Sequence, residues 1–333
     1  MTCFARILRT AATVIAVPAI LIPRATTLAM PRSSATVVWA MPAGLVLQGH
    51  LLFTRAGGHY GDETVYAANA DGSHQHRLTP FGGSCCARIT NDGRRILFAA
   101  SSSDGRITTA TVYPVGAGYR TIPLPDKTIN LGPGAWSPDG RYIAFQVWNN
   151  SKPARNGMYI GRASDGGDLR RVTSAKAGND LPGDFSPNGK RIAFFRERPD
   201  KQSVGSVWVV NVDGTGLKRL TPPKFLAGFG TVRWSPDATK ILFADAGDQP
   251  RGDLWTIHPD GSHLTRVFQD SKGRFAISPT WSPNGKQIMF ALDPTNHEDD
   301  HSPNGLYVIN ANGSGLRRAI GGNNFKSEPD WVR

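Results

Sequence analysis

The sequence predicts an all-β fold made of repeated small sheets, and three observations support this prediction. A five-residue motif, Trp-Ser-Pro-Asp-Gly or a close variant, recurs at intervals of 47 to 49 residues, at 89–93, 136–140, 185–189, 234–238 and 281–285. The segments between the copies contain short runs rich in β-branched and aromatic residues, bounded by Gly, Pro, Asn and Asp. Such runs are typical of strands joined by tight turns. No sustained helical periodicity follows residue 50, and a fixed period of this size indicates a repeat architecture.

Each repeat contains four predicted strands, named a to d. Strand a ends at the aromatic residue of the motif, and strand b is the Ile-x-Phe run at 95–98, 142–145, 191–194, 240–243 and 287–290. Strand c carries an aromatic residue and strand d carries basic residues. Asp-Gly or Asn-Gly pairs between c and d supply the positive φ angles that tight hairpins need. A four-stranded antiparallel sheet at this period predicts the blade of a β-propeller.

The two ends of the chain are predicted to complete one blade. Residues 51–79 supply strands b, c and d of a first blade without a strand a, whereas Pro329, Asp330 and Trp331 begin a strand a at the end of the sequence. We therefore predict a six-bladed propeller closed by N- and C-terminal strands that share one blade. Such closure removes exposed sheet edges, which otherwise favour aggregation.

The repeats resemble those of the TolB-like six-bladed propellers, whose repeat has the form W-S-P-D-G-x-x-I-A-F. The resemblance covers about residues 50–333. It implies a propeller scaffold of the kind found in exported binding proteins.

The N-terminal region has the pattern of a secretory signal. Residues 1–9 hold Arg6 and Arg9 and no acid, residues 11–22 are apolar apart from Thr13 and Pro18, and small residues follow. We predict a signal peptide over residues 1–35, a linker over 36–49 and the propeller over 50–333. An uncleaved membrane anchor is the alternative. We expect a protein exported to the periplasm, the cell envelope or the medium.

The formal net charge of +12 does not favour nucleic acid as a partner. Residues 1–35 carry four of the arginines and no acid, so that the remainder has a charge of +8. Many other basic residues fall in strand d, the predicted outer edge of each blade, where cations deter edge-to-edge pairing. We expect a monomer that binds a protein or an anionic cell-envelope polymer.

The residue before the motif aromatic is variable and often charged, and it defines the candidate binding site. Since strand a is innermost in a blade, Arg88, Asp184, Arg233 and Asp330 are predicted to edge the axial channel. Ordinary ion pairing between blades is the alternative. The b–c loops at 56–63, 148–156, 196–206, 245–251 and 292–304 vary in length and form a predicted loop-rich face, where binding usually resides.

Two further groups of residues allow metal chemistry. His297, Glu298, Asp299, Asp300 and His301 match the H-E-x-x-H pattern, but Pro294 and Pro303 place them in a loop rather than on a helix. Cys85 and Cys86 are adjacent, so two thiols without a function, a vicinal disulfide and a metal contact are all open.

The motif content favours a scaffold without catalytic machinery. The sequence has no G-x-S-x-G elbow and no phosphate-binding glycine-rich loop before a helix. We therefore predict an exported, non-enzymatic propeller that binds through its loop-rich face. We expect no cofactor, and a bound divalent cation is the alternative. The alternative is a metal-dependent hydrolase, lyase or lactonase with its site near the channel mouth.

Overall fold

The computed structural model describes residues 50–57, 62–79, 82–101, 106–113, 117–123, 128–149, 151–175, 178–246, 252–294 and 304–332. This part of the chain contains 24 strands and one 3-10 helix, Pro153–Arg155, which confirms the all-β prediction. None of the helical structure within these ranges is long and apolar enough to cross a membrane.

The described strands form six antiparallel units of four, which we call blades 1 to 6 in chain order. Blade 1 contains β1 (His50–Ala56), β2 (Thr64–Asn69) and β3 (His76–Arg77), and is completed by a strand from the end of the chain. Blade 2 contains β4 (Cys85–Ile89), β5 (Ile96–Ser101), β6 (Ile107–Tyr113) and β7 (Ala117–Thr121). Blade 3 contains β8 (Asn130–Trp136), β9 (Tyr142–Trp148), β10 (Gly157–Arg162) and β11 (Arg170–Arg171).

The next three units repeat the same order from the inner to the outer strand. Blade 4 contains β12 (Asp180–Phe185), β13 (Arg191–Arg198), β14 (Lys201–Asn211) and β15 (Lys218–Arg219). Blade 5 contains β16 (Ala227–Trp234), β17 (Ile241–Asp245), β18 (Leu254–Ile257) and β19 (Thr265–Phe268). Blade 6 contains β20 (Phe275–Trp281), β21 (Gln287–Asp293), β22 (Gly305–Asn310) and β23 (Arg317–Ile320).

The last strand, β24 (Phe325–Trp331), pairs with β1 and supplies the inner strand of blade 1. Trp331 lies opposite Leu51, and Asp330 lies opposite Leu52. The inner strands β4, β8, β12, β16, β20 and β24 each contact the next one, and β24 contacts β4. The described strands therefore form a ring in which the two ends of the chain share a blade.

Blade 4 differs from the sequence prediction, which placed a loop at 196–206. Strand β13 runs to Arg198 and β14 begins at Lys201, so this segment is an extended hairpin. Its charged side chains are satisfied locally, since Arg196 forms an ion pair with Asp180 at 2.6 Å. Strand β14 also pairs with β16, which joins blades 4 and 5 into one eight-stranded sheet. The prediction of a loop at 196–206 was therefore wrong, because the charged residues of this segment lie on two paired strands.

The hydrophobic core lies between neighbouring blades. The motif aromatics are buried in the structure, at Trp136, Phe185, Trp234, Trp281 and Trp331. Trp234 packs against Val207 and Val209 of blade 4, and the Arg191 guanidinium lies over its ring at 5.2 Å. The strand c aromatics are only half-buried and pack at the margin of the same clusters, at Tyr66, Tyr159, Trp208, Trp255 and Tyr307.

The rest of each motif forms a hydrogen-bonded turn between strands a and b. In blade 3, Asp139 Oδ1 accepts hydrogen bonds from Ser137 Oγ at 2.6 Å and Arg141 N at 3.0 Å. Ser137 Oγ in turn accepts a hydrogen bond from Tyr142 N at 2.9 Å. Gly140 has a φ of 65°, which glycine adopts without steric cost. These contacts give the serine, the carboxylate or amide residue and the glycine of the motif a structural role in the turn.

Candidate functional site

The six residues that precede the aromatic position of the motif, a position taken by Ile89 in blade 2, meet at one end of the axial channel. A cavity there is lined by one such residue from each blade, together with the aromatics, and the six are Arg88, Ala135, Asp184, Arg233, Thr280 and Asp330. The residues predicted from the sequence to edge the channel are therefore brought together. We call these six residues the channel-mouth ring.

The charges of the channel-mouth ring follow a repeated order. Going round from blade 1, the ring presents an acid, a base and a small or neutral residue, and then the same order again: Asp330, Arg88, Ala135, Asp184, Arg233 and Thr280. Like charges consequently lie on opposite blades, and the ring has no net formal charge. Chain order and the predicted ring closure already imply this order, and the structure adds that all six residues line one cavity.

An ion pair crosses the channel mouth. Arg233 Nη2 of blade 5 lies 3.3 Å from Asp330 Oδ1 of blade 1, although blade 6 separates the two blades in the ring. Asp330 Oδ2 also accepts a hydrogen bond from Ile89 N of blade 2 at 2.9 Å. Both side chains are largely buried. Arg88 and Asp184 are only half-buried and are better placed to contact a ligand.

The channel-mouth ring lies on the face formed by the short turns, opposite the predicted loop-rich face. Asn91 and Pro138, both from a–b turns, line the same cavity, and Asn91 Nδ2 donates a hydrogen bond to Pro138 O at 3.3 Å. The reason is local, since the residue before the aromatic stands at the end of strand a, next to the turn. The two predicted binding regions therefore belong to opposite faces of the ring.

Several sequence predictions fall partly or wholly outside the described residues. Most of the b–c loops do so, and binding through the loop-rich face stays a prediction. The whole candidate metal motif, His297, Glu298, Asp299, Asp300 and His301, is also outside, as are the predicted signal peptide and linker over residues 1–49.

Every inner strand contains a β-bulge just before its channel-mouth residue, a feature that sequence reasoning missed. The pairing shifts register near residues 86, 134, 183, 229, 278 and 328. Prolines at or beside four of these positions, Pro133, Pro182, Pro279 and Pro329, were the available signal, because proline within sheets is confined to edges, strand starts and bulges. Bulges redirect side chains and are common beside functional sites.

Sequence reasoning also missed Glu328, which lies in the bulge of β24. Its side chain is buried beside Cys86, 242 residues away in the sequence. The pKa of Glu328 is raised to about 8, mainly because the side chain is buried and in part because Cys86 is nearby, while Arg88 opposes the shift. Only the joining of β24 to the first blade places this carboxyl group next to the cysteine pair.

These features define a β-propeller with a charge-paired channel mouth. The sequence profile of the TolB beta propeller domain matches residues 116–296, more than half of the chain, and the chain therefore belongs to that family.

Individual relatives agree with this assignment. The chain is 31% identical over 190 residues to the Tol-Pal system protein TolB of Anaeromyxobacter sp. (strain K), and the match covers 54% of this chain and 39% of that protein. It thus spans about two fifths of the length of this relative. The crystal structure of TolB from Acinetobacter baumannii superposes with a TM-score of 0.67 at 17% identity, covering 86% of this chain and 67% of that one.

An enzyme shares the fold as well. An oligogalacturonate lyase in complex with manganese superposes with a TM-score of 0.55 at 14% identity, covering 85% of this chain and 77% of the lyase. At this level of identity, the similarity shows the fold alone.

Proposed function

We propose that this chain is an exported, non-enzymatic propeller that binds a protein partner of the cell envelope at its channel-mouth ring. The supporting observation is the ring of paired acids and bases, which the fold assembles from six separate repeats. The Tol-Pal system named for the matched relative offers a setting in which such a partner would occur.

The chemistry of the channel-mouth ring favours a polypeptide over an anionic polymer. The mouth presents both charges with no net excess, and the motif aromatics lie behind them. A segment that carries both an acidic and a basic group can pair with Arg88 and Asp184 simultaneously. A polyanion, in contrast, is repelled by the two acids of the ring. The buried ion pair between Arg233 and Asp330 keeps the mouth pre-organised.

A double variant at the two half-buried ring positions tests this proposal. Arg88→Ala/Asp184→Ala is expected to recover at least about tenfold less partner from envelope extract, since the two lost charge pairs together are worth about 1.4 kcal/mol or more. The matched control is Arg170→Ala/Arg317→Ala, which removes two exposed cations from outermost strands. Quantitative mass spectrometry of the captured proteins gives the readout. Equal recovery by the ring variant and the wild type contradicts binding at the ring.

A second pair of variants compares the two faces. Shortening the loops at 56–63 and 292–304 removes much of the predicted loop-rich face and leaves the channel-mouth ring intact. The proposal expects these variants to capture the partner normally. Loss of capture in the loop variants alone would assign binding to the opposite face.

Export is part of the proposal and is tested separately. If residues 1–35 contain a signal peptide, the exported protein is expected to begin near residue 30, after Thr27-Leu28-Ala29, or near residue 36, after Ser33-Ser34-Ala35, and N-terminal sequencing measures this. An intact N-terminus in the membrane fraction would instead identify an anchor.

The alternative function, a metal-dependent hydrolase, lyase or lactonase, depends on residues 297–301. The fold shared with a manganese-bound lyase is the observation in its favour. Metal analysis of protein purified without chelator, repeated with His297→Ala/His301→Ala, tests it. Metal lost specifically in that variant would support the alternative.

A further inference from the structure

A compact group of metal-ligand side chains lies at the junction of blades 1 and 2. Cys85 and Cys86 begin β4, and Glu328 lies in the adjacent inner strand β24. The ligand atoms of the three residues all lie within 4.8 Å of one another, which no other group of three or more His, Cys, Asp or Glu residues in the described ranges achieves. All three residues are buried, with exposures of 0%, 6% and 5%.

The bulges of the two strands create this group. Adjacent residues of a regular strand point to opposite faces, yet the Sγ atoms of Cys85 and Cys86 are 2.7 Å apart. Cys86 and Glu328 have φ values of 62° and 54°, a left-handed conformation that costs a non-glycine residue roughly 1–2 kcal/mol. Such strain persists where the surrounding structure enforces it and is frequent at functional sites.

The carboxylate of Glu328 is oriented toward the thiols. Its Oε2 accepts hydrogen bonds from Cys86 N at 2.7 Å and from Thr54 Oγ1 at 3.2 Å. Its Oε1 accepts a hydrogen bond from Cys86 Sγ at 3.6 Å. The backbone and Thr54 therefore hold one oxygen, and the second oxygen faces the sulfur atoms.

We propose that Cys85, Cys86 and Glu328 form a buried site for a thiophilic divalent cation, specifically Zn²⁺. Zinc binds thiolates at about 2.3 Å and carboxylates at about 2.1 Å, usually with tetrahedral geometry, and these lengths place sulfur and oxygen about 3.6 Å apart. The separation of Cys86 Sγ from Glu328 Oε1 already has that value. The two sulfur atoms would have to separate by about 1 Å, and a water molecule would take the fourth position.

The surroundings suit a bound cation. Ala99, Ile107 and Trp148 pack around the two cysteines and shield the site from bulk solvent, which strengthens charge interactions there. Zinc binding releases to solvent the thiol protons and the proton that the Glu328 carboxyl group carries in its neutral form, leaving two thiolates and a carboxylate around a divalent ion. Arg88, which interacts electrostatically with Glu328, balances the remaining negative charge. The site therefore lies beside the channel-mouth ring and shares Arg88 with it.

Titration of the reduced, full-length protein with Zn²⁺ or Cd²⁺ tests the proposal. We expect one metal ion per chain, a thiolate-to-cadmium charge-transfer band and a higher melting temperature. Cys85→Ser/Cys86→Ser is expected to lose all three signals. Glu328→Gln is expected to keep the band and weaken binding by about tenfold or more.

Matched controls exclude the other candidate donors. Cys3→Ser removes the third cysteine of the chain, and His297→Ala/His301→Ala removes the histidines of the loop motif. Both controls are expected to bind zinc as the wild type does. Zinc binding that is lost in either control and kept in the cysteine double variant overturns the proposal.

Two measurements on the wild type keep the test independent of the folding of the variants. X-ray absorption at the zinc edge is expected to show two sulfur neighbours and at least one oxygen neighbour. Mass spectrometry of the thiols before titration reports their oxidation state. A Cys85–Cys86 disulfide that persists in reductant, or reduced and folded protein that binds no zinc, overturns the proposal.

Discussion

Single residues of the repeated motif have separate structural functions. The aromatic residue fills the space between two blades, the hydroxyl and the carboxylate or amide close the turn, and the residue before the aromatic is left to face the channel. This division is seen within residues 233–237, at Arg233, Trp234, Ser235 and Asp237. The first two functions fall at positions that repeat along the sequence, and sequence reasoning located the third because its position varies.

Trp234 tests the packing function. Its side chain is fully buried between blades 4 and 5, so Trp234→Ala is expected to lower the free energy of unfolding by about 3–5 kcal/mol. Trp234→Phe is expected to cost less, since blade 4 uses Phe185 at the equivalent position. Leu217→Ala is the control, because Leu217 is 45% exposed. Chemical denaturation measures all three, and equal losses for Ala and Phe would contradict the packing account.

The turn carboxylates predict a dependence on pH. Hydrogen bonds from Ser137 and Ser235 hold the pKa values of Asp139 and Asp237 below their usual range. Since the folded-state pKa is lowered, each carboxylate stabilises the fold above its unfolded pKa of about 3.9, and this stabilisation is lost as the pH falls through the folded pKa.

Asparagine offers the matched comparison for those two turns. Asn188 and Asn284 already make the same hydrogen bonds in blades 4 and 6. Asp139→Asn/Asp237→Asn is therefore expected to fold and to lose less stability than the wild type between neutral pH and about pH 3. Melting temperatures across that range measure the effect. Parallel curves for the two proteins would show that the carboxylates contribute no acid-dependent stability.

At the scale of elements, the strands were more predictable than their irregularities. The period and the turn residues predicted the inner strands and the meander order, because each repeat contains the residues that determine its own strands and turns. The bulges depend on how an inner strand fits against its neighbours, and the hairpin of blade 4 depends on ion pairs such as Arg196 with Asp180. Neither feature has a repeated sequence signature, although the prolines of the inner strands marked four of the bulges.

A truncation of strand β24 tests whether the two ends of the chain share a blade. Removing residues 329–333 deletes the end of the strand that pairs with β1 and takes away Asp330 and Trp331. The truncated protein is expected to unfold or to self-associate, because the inner edge of blade 1 becomes exposed. Thermal melting and light scattering measure this, with a variant lacking only Arg333 as the control. A truncated monomer that melts like the wild type would contradict the shared blade.

At the scale of the whole molecule, ring closure brings together groups that the sequence keeps far apart. The Asp330 carboxylate reaches Arg233 across the channel and Ile89 in the next blade, and the Glu328 carboxylate reaches Cys86. Sequence reasoning placed Arg233 and Asp330 at the channel and missed Glu328. It could not pair these groups, because the pairing depends on the bulges of the inner strands.

The ion pair between Arg233 and Asp330 gives the most direct test of the closed ring and its channel mouth. A double-mutant cycle with Arg233→Ala and Asp330→Asn measures the coupling between blades 5 and 1 in the free energy of unfolding. Since the two side chains are in contact and largely buried, we expect a coupling of about 1 kcal/mol or more. Effects that add to within about 0.5 kcal/mol would contradict the channel mouth described for this protein.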